Sequence, residues 1–113
     1  YYAFPIIHQP NASNGVPTAT LIECFKQQGL AASSSPYPLL HRLPLFAEGF
    51  DLFTHQRGPL CGDYPGYRPG DFPAIENVFD RLIFLPMLSN PAPGAVDRIS
   101  DMVAAAMNKA HSL

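Results

Sequence analysis

Proline constrains this chain more than any other residue. Six prolines, Pro36, Pro38, Pro44, Pro59, Pro65 and Pro69, fall between residues 36 and 70, interspersed with glycines. Proline fixes φ, cannot donate a backbone hydrogen bond and pushes the residue before it away from helical conformation. Long helices and strands are therefore excluded over much of this stretch, and a long ordered loop is expected in their place. Its aromatics, Tyr37, Phe46, Phe50, Phe53, Tyr64 and Tyr67, argue against disorder, because burying them offsets the entropy of fixing the loop. Loops of that length lie at functional sites or interfaces.

Regular elements are confined to the flanks. Residues 1–7 read as an extended apolar strand, and residues 8–17, rich in Asn, Ser, Gly and Pro, as a surface turn. A helix is predicted over about 18–28: Leu21, Ile22 and Phe25 share a face, Pro17 suits its first turn, and Gly29 can supply a left-handed C-terminal cap. Residues 30–35 follow as a short strand of small side chains, stopped by Pro36 and Pro38. Asp71 is suited to N-capping, and Ile75, Val78, Phe79 and Leu82 recur at i, i+3, i+4 and i+7, which predicts an amphipathic helix over about 72–82. Residues 83–86 then form a short buried strand, closed by a turn running through Gly94. Val96, Ile99, Val103, Met107 and Ala110 mark the inner face of a last helix, with Asp97 near its positive end and Lys109 near its negative end. The sum is an α+β fold, a small sheet of about three strands covered on one side by helices.

The 113 residues suit one domain, and 47% hydrophobic against 14% charged residues gives more apolar surface than usual, as a docking face requires. Seven Lys and Arg against nine Asp and Glu, without runs, leave no electrostatic footprint for nucleic acid or an anionic membrane. No stretch approaches the ~18 apolar residues of a membrane span, and no signal-peptide pattern is present, so a cytoplasmic chain is expected. Cys24 and Cys61 lack CxxC spacing and read as reduced thiols. Asn11-Ala12-Ser13 fits a glycosylation pattern too short to carry weight alone. His55, Cys61 and Asp63 bring three ligand types within nine residues but none of the paired spacing of metal sites, and no metal is assigned. Serine-nucleophile and phosphate-loop patterns are missing.

Three runs remain: Tyr37-Pro-Leu-Leu-His41-Arg-Leu-Pro44-Leu-Phe46, Gly70-Asp-Phe-Pro73-Ala-Ile-Glu76 and Arg81-Leu-Ile-Phe-Leu-Pro86-Met87. Their order and spacing resemble the C-terminal small domain of the DegT/DnrJ/StrS family of pyridoxal-phosphate aminotransferases. The resemblance implies the small domain of a fold-type I enzyme. The complete enzyme would move an amino group from glutamate or glutamine onto a keto-sugar or keto-cyclitol, in amino sugar or secondary-metabolite biosynthesis. It would work as a homodimer with active sites at the subunit interface. The resemblance also implies that pyridoxal phosphate, with its lysine and aspartate, belongs to a large N-terminal domain absent from this chain, which is the small domain's partner. An apolar segment at residue 1, without lead-in, is likewise expected of a piece of a longer protein.

In such enzymes the stretch corresponding to residues 37–41 lies at the mouth of the active site, so the resemblance turns His41 and Tyr37 towards substrate or cofactor. The plain alternative for His41 is a histidine filling a hydrogen-bonded hole in the loop. Transamination needs a lysine for the Schiff base. Only Lys26 and Lys109 are available, both at ordinary solvent-facing helix positions, so the chain alone should carry no catalytic or cofactor-binding residue. Residues 49–69 look longer and more aromatic than in sugar-nucleotide members, which leans the substrate towards a cyclitol or another secondary metabolite. A sister pyridoxal-phosphate sugar dehydratase and a non-catalytic α+β interaction module are the alternatives.

Overall fold

Two apolar segments far apart in sequence pair to form the sheet. In the computed structural model, which describes residues 4–49 and 64–112, strand β1 (Phe4–Ile7) runs antiparallel to β2 (Leu82–Leu85). The register sets Phe4 against Leu85, Pro5 against Phe84, Ile6 against Ile83 and Ile7 against Leu82. Because side chains alternate along a strand, Phe4, Ile6, Ile83 and Leu85 share one face. Ile83 is fully buried there, with Ile6 and Leu85 packed against the same core. Phe84 turns its backbone the other way: its N–H donates to the Ser33 carbonyl at 2.8 Å and its carbonyl accepts from the Ser33 N–H at 3.1 Å. Pro5, opposite Phe84, therefore occupies a position without hydrogen bonds to β2, and its missing N–H costs the ladder nothing.

The expected third strand shrinks to that single bridge at Ser33. Leu30 is drawn into the core by the end of the preceding helix, and Pro36 ends extended pairing three residues after Ser33.

The helices are α1 (Thr18–Gln27), α2 (Pro44–Ala47), α3 (Pro73–Phe79) and α4 (Ala95–His111). By its contacts the chain divides into two compact units, Tyr1–Pro36 with Asp80–Leu113, and Tyr37–Phe79. The first is an α+β unit whose core is Val16, Leu21, Ile22, Cys24 and Phe25 of α1 and its lead-in, Leu30 and Ala32, Ile83 of β2, and Ala106 and Ala110 of α4. Ile99, Val103 and Met107 pack against this core as their spacing predicts. Val96 does not: it is 63% exposed in the first turn of α4. Fully buried Ala106 takes its place, its small side chain suiting a close approach of α4 to α1. Cys24 is a buried free thiol, while Cys61 lies outside the described residues.

Residues 8–17 are not merely a surface turn. A short 3-10 turn at Pro10–Ser13 buries His8, Ser13 and Val16.

In the second unit the described residues between 37 and 70 form no long helix or strand, and residues 50–63 of the expected loop lie outside the described residues. The unit's described elements are a 3-10 turn at Leu40–Arg42, the single-turn α2 opened by Pro44, and α3. The Tyr67 N–H and the Tyr64 hydroxyl both donate to the Phe46 carbonyl, at 3.1 and 2.9 Å, tying residues 64–67 to α2. Helix α3 ends at Phe79, three residues before its apolar periodicity does, and none of its residues is fully buried. Leu82 satisfies the helical spacing but pairs with Ile7 instead, because strand pairing gives its segment backbone partners on β1.

Helix α1 ends as its sequence predicts. Gly29 adopts φ +83°, its N–H donates to the Lys26 carbonyl at 2.9 Å, and the Leu30 N–H donates to the Phe25 carbonyl at 3.0 Å. This double bond pattern satisfies carbonyls that the helix leaves unpaired, and buried Leu30 and Phe25 supply its apolar contact. Nothing lies within 4 Å of a Cβ added at Gly29, so an alanine there pays for backbone conformation alone. Gly29→Ala is expected to lower the unfolding free energy by about 1–2 kcal/mol, with Gly29→Asn in between. Urea titration of both variants checks this, and an unchanged midpoint for Gly29→Ala refutes the cap.

Candidate functional site

The second unit is organised around a carboxylate. Pro69 and Gly70 turn the chain before α3, with the Asp71 N–H donating to the Arg68 carbonyl at 3.1 Å and the Arg68 N–H to Asp71 Oδ2 at 2.8 Å. Gly70 has φ +97°, a conformation that side-chain-bearing residues rarely adopt. In this turn its N–H reaches both carboxylate oxygens of Glu76, at 2.9 and 3.1 Å. Glu76 projects from the first turn of α3. On the same carboxylate, Arg42 Nη2 donates to Oε2 at 2.8 Å and His41 Nε2 to Oε1 at 2.9 Å.

These donors explain the electrostatics. The Gly70 N–H above all, then Arg42 and His41, outweigh the opposing effect of burial and hold the Glu76 carboxyl at about 2, against its ordinary 4.5. The His41 and Glu76 side chains are 9% and 14% exposed, and that of Arg42 is 42% exposed. The His41 ring also lies 4.8 Å from the Phe72 ring at a 50° tilt, and Phe72 meets Tyr67 edge-on at 5.2 Å. An ionised carboxylate only accepts, so His41 carries its proton on Nε2.

His41 thus fills a hydrogen-bonded site. Tyr37 is 55% exposed, and the contacts shown for His41 among the described residues are with Glu76 and Phe72. Glu76, Arg42 and Gly70 stand in the sequence runs with no role that the sequence alone assigns them. Gly70 six residues before an acid at a helix start was the available signal; the pairing to residues 34 and 35 positions away was not legible.

The lysines do not fit a Schiff-base role. Lys26 Nζ pairs with Glu23 at 2.7 Å on the surface of α1, the two side chains 50% and 62% exposed, and Lys109 is exposed in the last turn of α4. Neither side chain is buried. Among the described residues no three His, Cys, Asp or Glu side chains come together as a metal site; His55, Cys61 and Asp63 lie outside them. No helix among the described residues is long and apolar enough to cross a membrane.

The first unit holds a second histidine cluster. His8 follows β1, its N–H donating to the Arg81 carbonyl at 2.8 Å. Its ring bridges Ser13 Oγ, 2.6 Å from Nε2, and Thr18 Oγ1, 3.1 Å from Nδ1. The Ser13 hydroxyl donates to the carbonyls of Pro10 and Gln9, at 3.1 and 3.3 Å, so it accepts from Nε2–H, and Nδ1 accepts from Thr18. A serine paired with histidine suggests a nucleophile, but Ser13 is 1% exposed and its proton is committed to the backbone. The cluster instead clamps the end of β1 to the start of α1. Burial first, and then the Arg81 charge, push His8 below its ordinary 6.5.

Two pH dependences follow. Between pH 4.5 and about 2 the unfolded chain takes up a proton at Glu76 while the folded chain does not, so stability falls as the pH drops through that window. Glu76→Gln should be less stable than wild type at neutral pH and should lose this part of the acid slope. Urea midpoints measured across the acid range check it, and parallel slopes for the two proteins refute it. His8 works in a higher range: the unfolded chain protonates first, so its contribution is full above 6.5 and declines below it. His8→Ala, which leaves Ser13 and Thr18 without their partner, should cost about 1–3 kcal/mol at mildly alkaline pH and less at mildly acidic pH. A loss that is the same at both pH values counts against a neutral buried imidazole.

No family model, no curated protein and no solved structure matches this chain.

Proposed function

We propose that this chain is the C-terminal small domain of a cytoplasmic pyridoxal-phosphate aminotransferase of the DegT/DnrJ/StrS type. The complete enzyme transfers an amino group from glutamate or glutamine to a keto-sugar or keto-cyclitol. One observation carries the reading: two of the three runs that bear the resemblance converge on a single carboxylate. His41 and Arg42 come from the first run, and Gly70 and Glu76 from the second. The third run supplies β2. Motif residues that meet in space are better explained by a shared task than by chance spacing.

On this reading His41, held by Glu76, offers a hydrogen bond to the substrate, with exposed Tyr37 nearby in sequence as a second contact. The large domain supplies the cofactor, which carries the electron-sink chemistry, together with the lysine and aspartate that hold it. A homodimer completes the active sites. The 113-residue chain alone is then inactive.

The test uses the product of the whole open reading frame. It should convert a keto-sugar or keto-cyclitol to the amine with glutamate or glutamine as donor. Borohydride reduction with bound cofactor, followed by digestion, should place the pyridoxyl group on a lysine outside these residues. A stoichiometric pyridoxyl group on Lys26 or Lys109 overturns the proposal, as does a full-length product that neither binds the cofactor nor transfers an amino group. Dehydration of the sugar with cofactor bound non-covalently selects the sister dehydratase instead.

A further inference from the structure

His41 has two ring nitrogens, and the surrounding geometry separates their duties. Nε2 is committed to Glu76 Oε1 at 2.9 Å. The tilted contact with Phe72, itself braced by Tyr67, disfavours turning the ring over, and a flip would break the Glu76 bond. Nδ1 makes no hydrogen bond among the described residues. The His41 side chain is 9% exposed, so the ring is not wholly sealed from solvent. Among the described residues, the charged groups shown against this imidazole are Glu76 and, through the same carboxylate, Arg42, and the two are bonded to each other.

We propose that Glu76 is a positioning residue that holds the Nε2–H of His41, so that in the neutral imidazole Nδ1 is presented as a hydrogen-bond acceptor to a ligand hydroxyl. Carboxylate-bound histidines elsewhere have their tautomer and orientation set in this way. The consequence is selectivity by chemistry. A bare ring nitrogen accepts from a hydroxyl and opposes the lone pairs of a phosphate or carboxylate. The hydroxyl is assigned to a sugar or cyclitol on the strength of the aminotransferase reading; the tautomer itself does not depend on it.

Nitrogen NMR of the 113-residue chain tests the tautomer directly. At a pH where His41 is neutral, its Nε2 should carry the proton and Nδ1 should show the shift of an unprotonated nitrogen. Arg42→Gln, which removes another donor from the same carboxylate, should keep this pattern. Glu76→Gln, whose amide no longer presents an acceptor only, should mix the two tautomers while signals of the first unit stay in place. A proton on Nδ1, or an unbiased mixture, in wild type or Arg42→Gln overturns the proposal even if Glu76→Gln fails to fold.

Kinetics of the full-length enzyme test the ligand contact. Gln places its amide near the Nε2 position and Asn near the Nδ1 position. His41→Gln should keep the wild-type unfolding midpoint but lose about tenfold or more in kcat/KM, and His41→Asn should lose stability while keeping more turnover. Equal losses in turnover, or the reverse order, overturn the acceptor role. Absence of transamination by wild type would count against the aminotransferase reading alone and leave the NMR result to decide on Glu76.

Discussion

Burying Ile83 without leaving the backbone of β2 unpaired is the requirement on which the first unit rests. A fully buried strand residue brings its peptide groups with it, and an unpaired buried N–H or carbonyl costs as much as a lost hydrogen bond. β1 covers one edge of β2 and Ser33 the other. Ser33 arrives there because α1 ends at Gly29 in a left-handed cap that turns the chain back towards the core and anchors Leu30 in it. The other edge depends on His8, which extends the β1 ladder through its N–H and fastens the start of α1 through its ring. Sheet, cap and clamp are therefore one solution to a single accounting problem.

The second unit answers to a different force. None of the residues of α2 or α3 is fully buried, and the segments around them are gathered by Glu76. An apolar cluster tolerates many packings of similar energy, whereas a carboxylate that accepts from a backbone N–H, a guanidinium and an imidazole accepts only one arrangement of them. The directional bonds explain how a segment so rich in proline, with no buried residue in α2 or α3, holds the His41 ring against Glu76 and Phe72.

How legible was this in the sequence? Helix α1 was, because its apolar spacing, Pro17 and Gly29 are all local signals. The α+β class was also legible, since both strands and the last helix follow from pattern alone. Leu82 was misread because its side chain fits either a helical face or a strand, and only the distant β1 decides between them. Val96 was misread because periodicity does not say where the core stops. His8 and Ser13 look polar and loop-like, and nothing along the chain signals that each buries the other. At the candidate site His41 could be singled out by its setting, but its partner could not, because a carboxylate on one turn and a histidine on another carry no shared periodicity.

Pro5 has an effect beyond its own register position. In β1 the backbone groups of Pro5 and Ile7 point away from β2, and no strand among the described residues pairs with that edge. An open apolar edge is a template on which another chain can add a strand, a route to misassembly. With an imino acid at Pro5 the edge offers an incoming strand an acceptor but no donor there, so a ladder begun at Ile7 cannot continue past it. A residue that looks like a flaw within the strand acts as a guard against unwanted growth of the sheet.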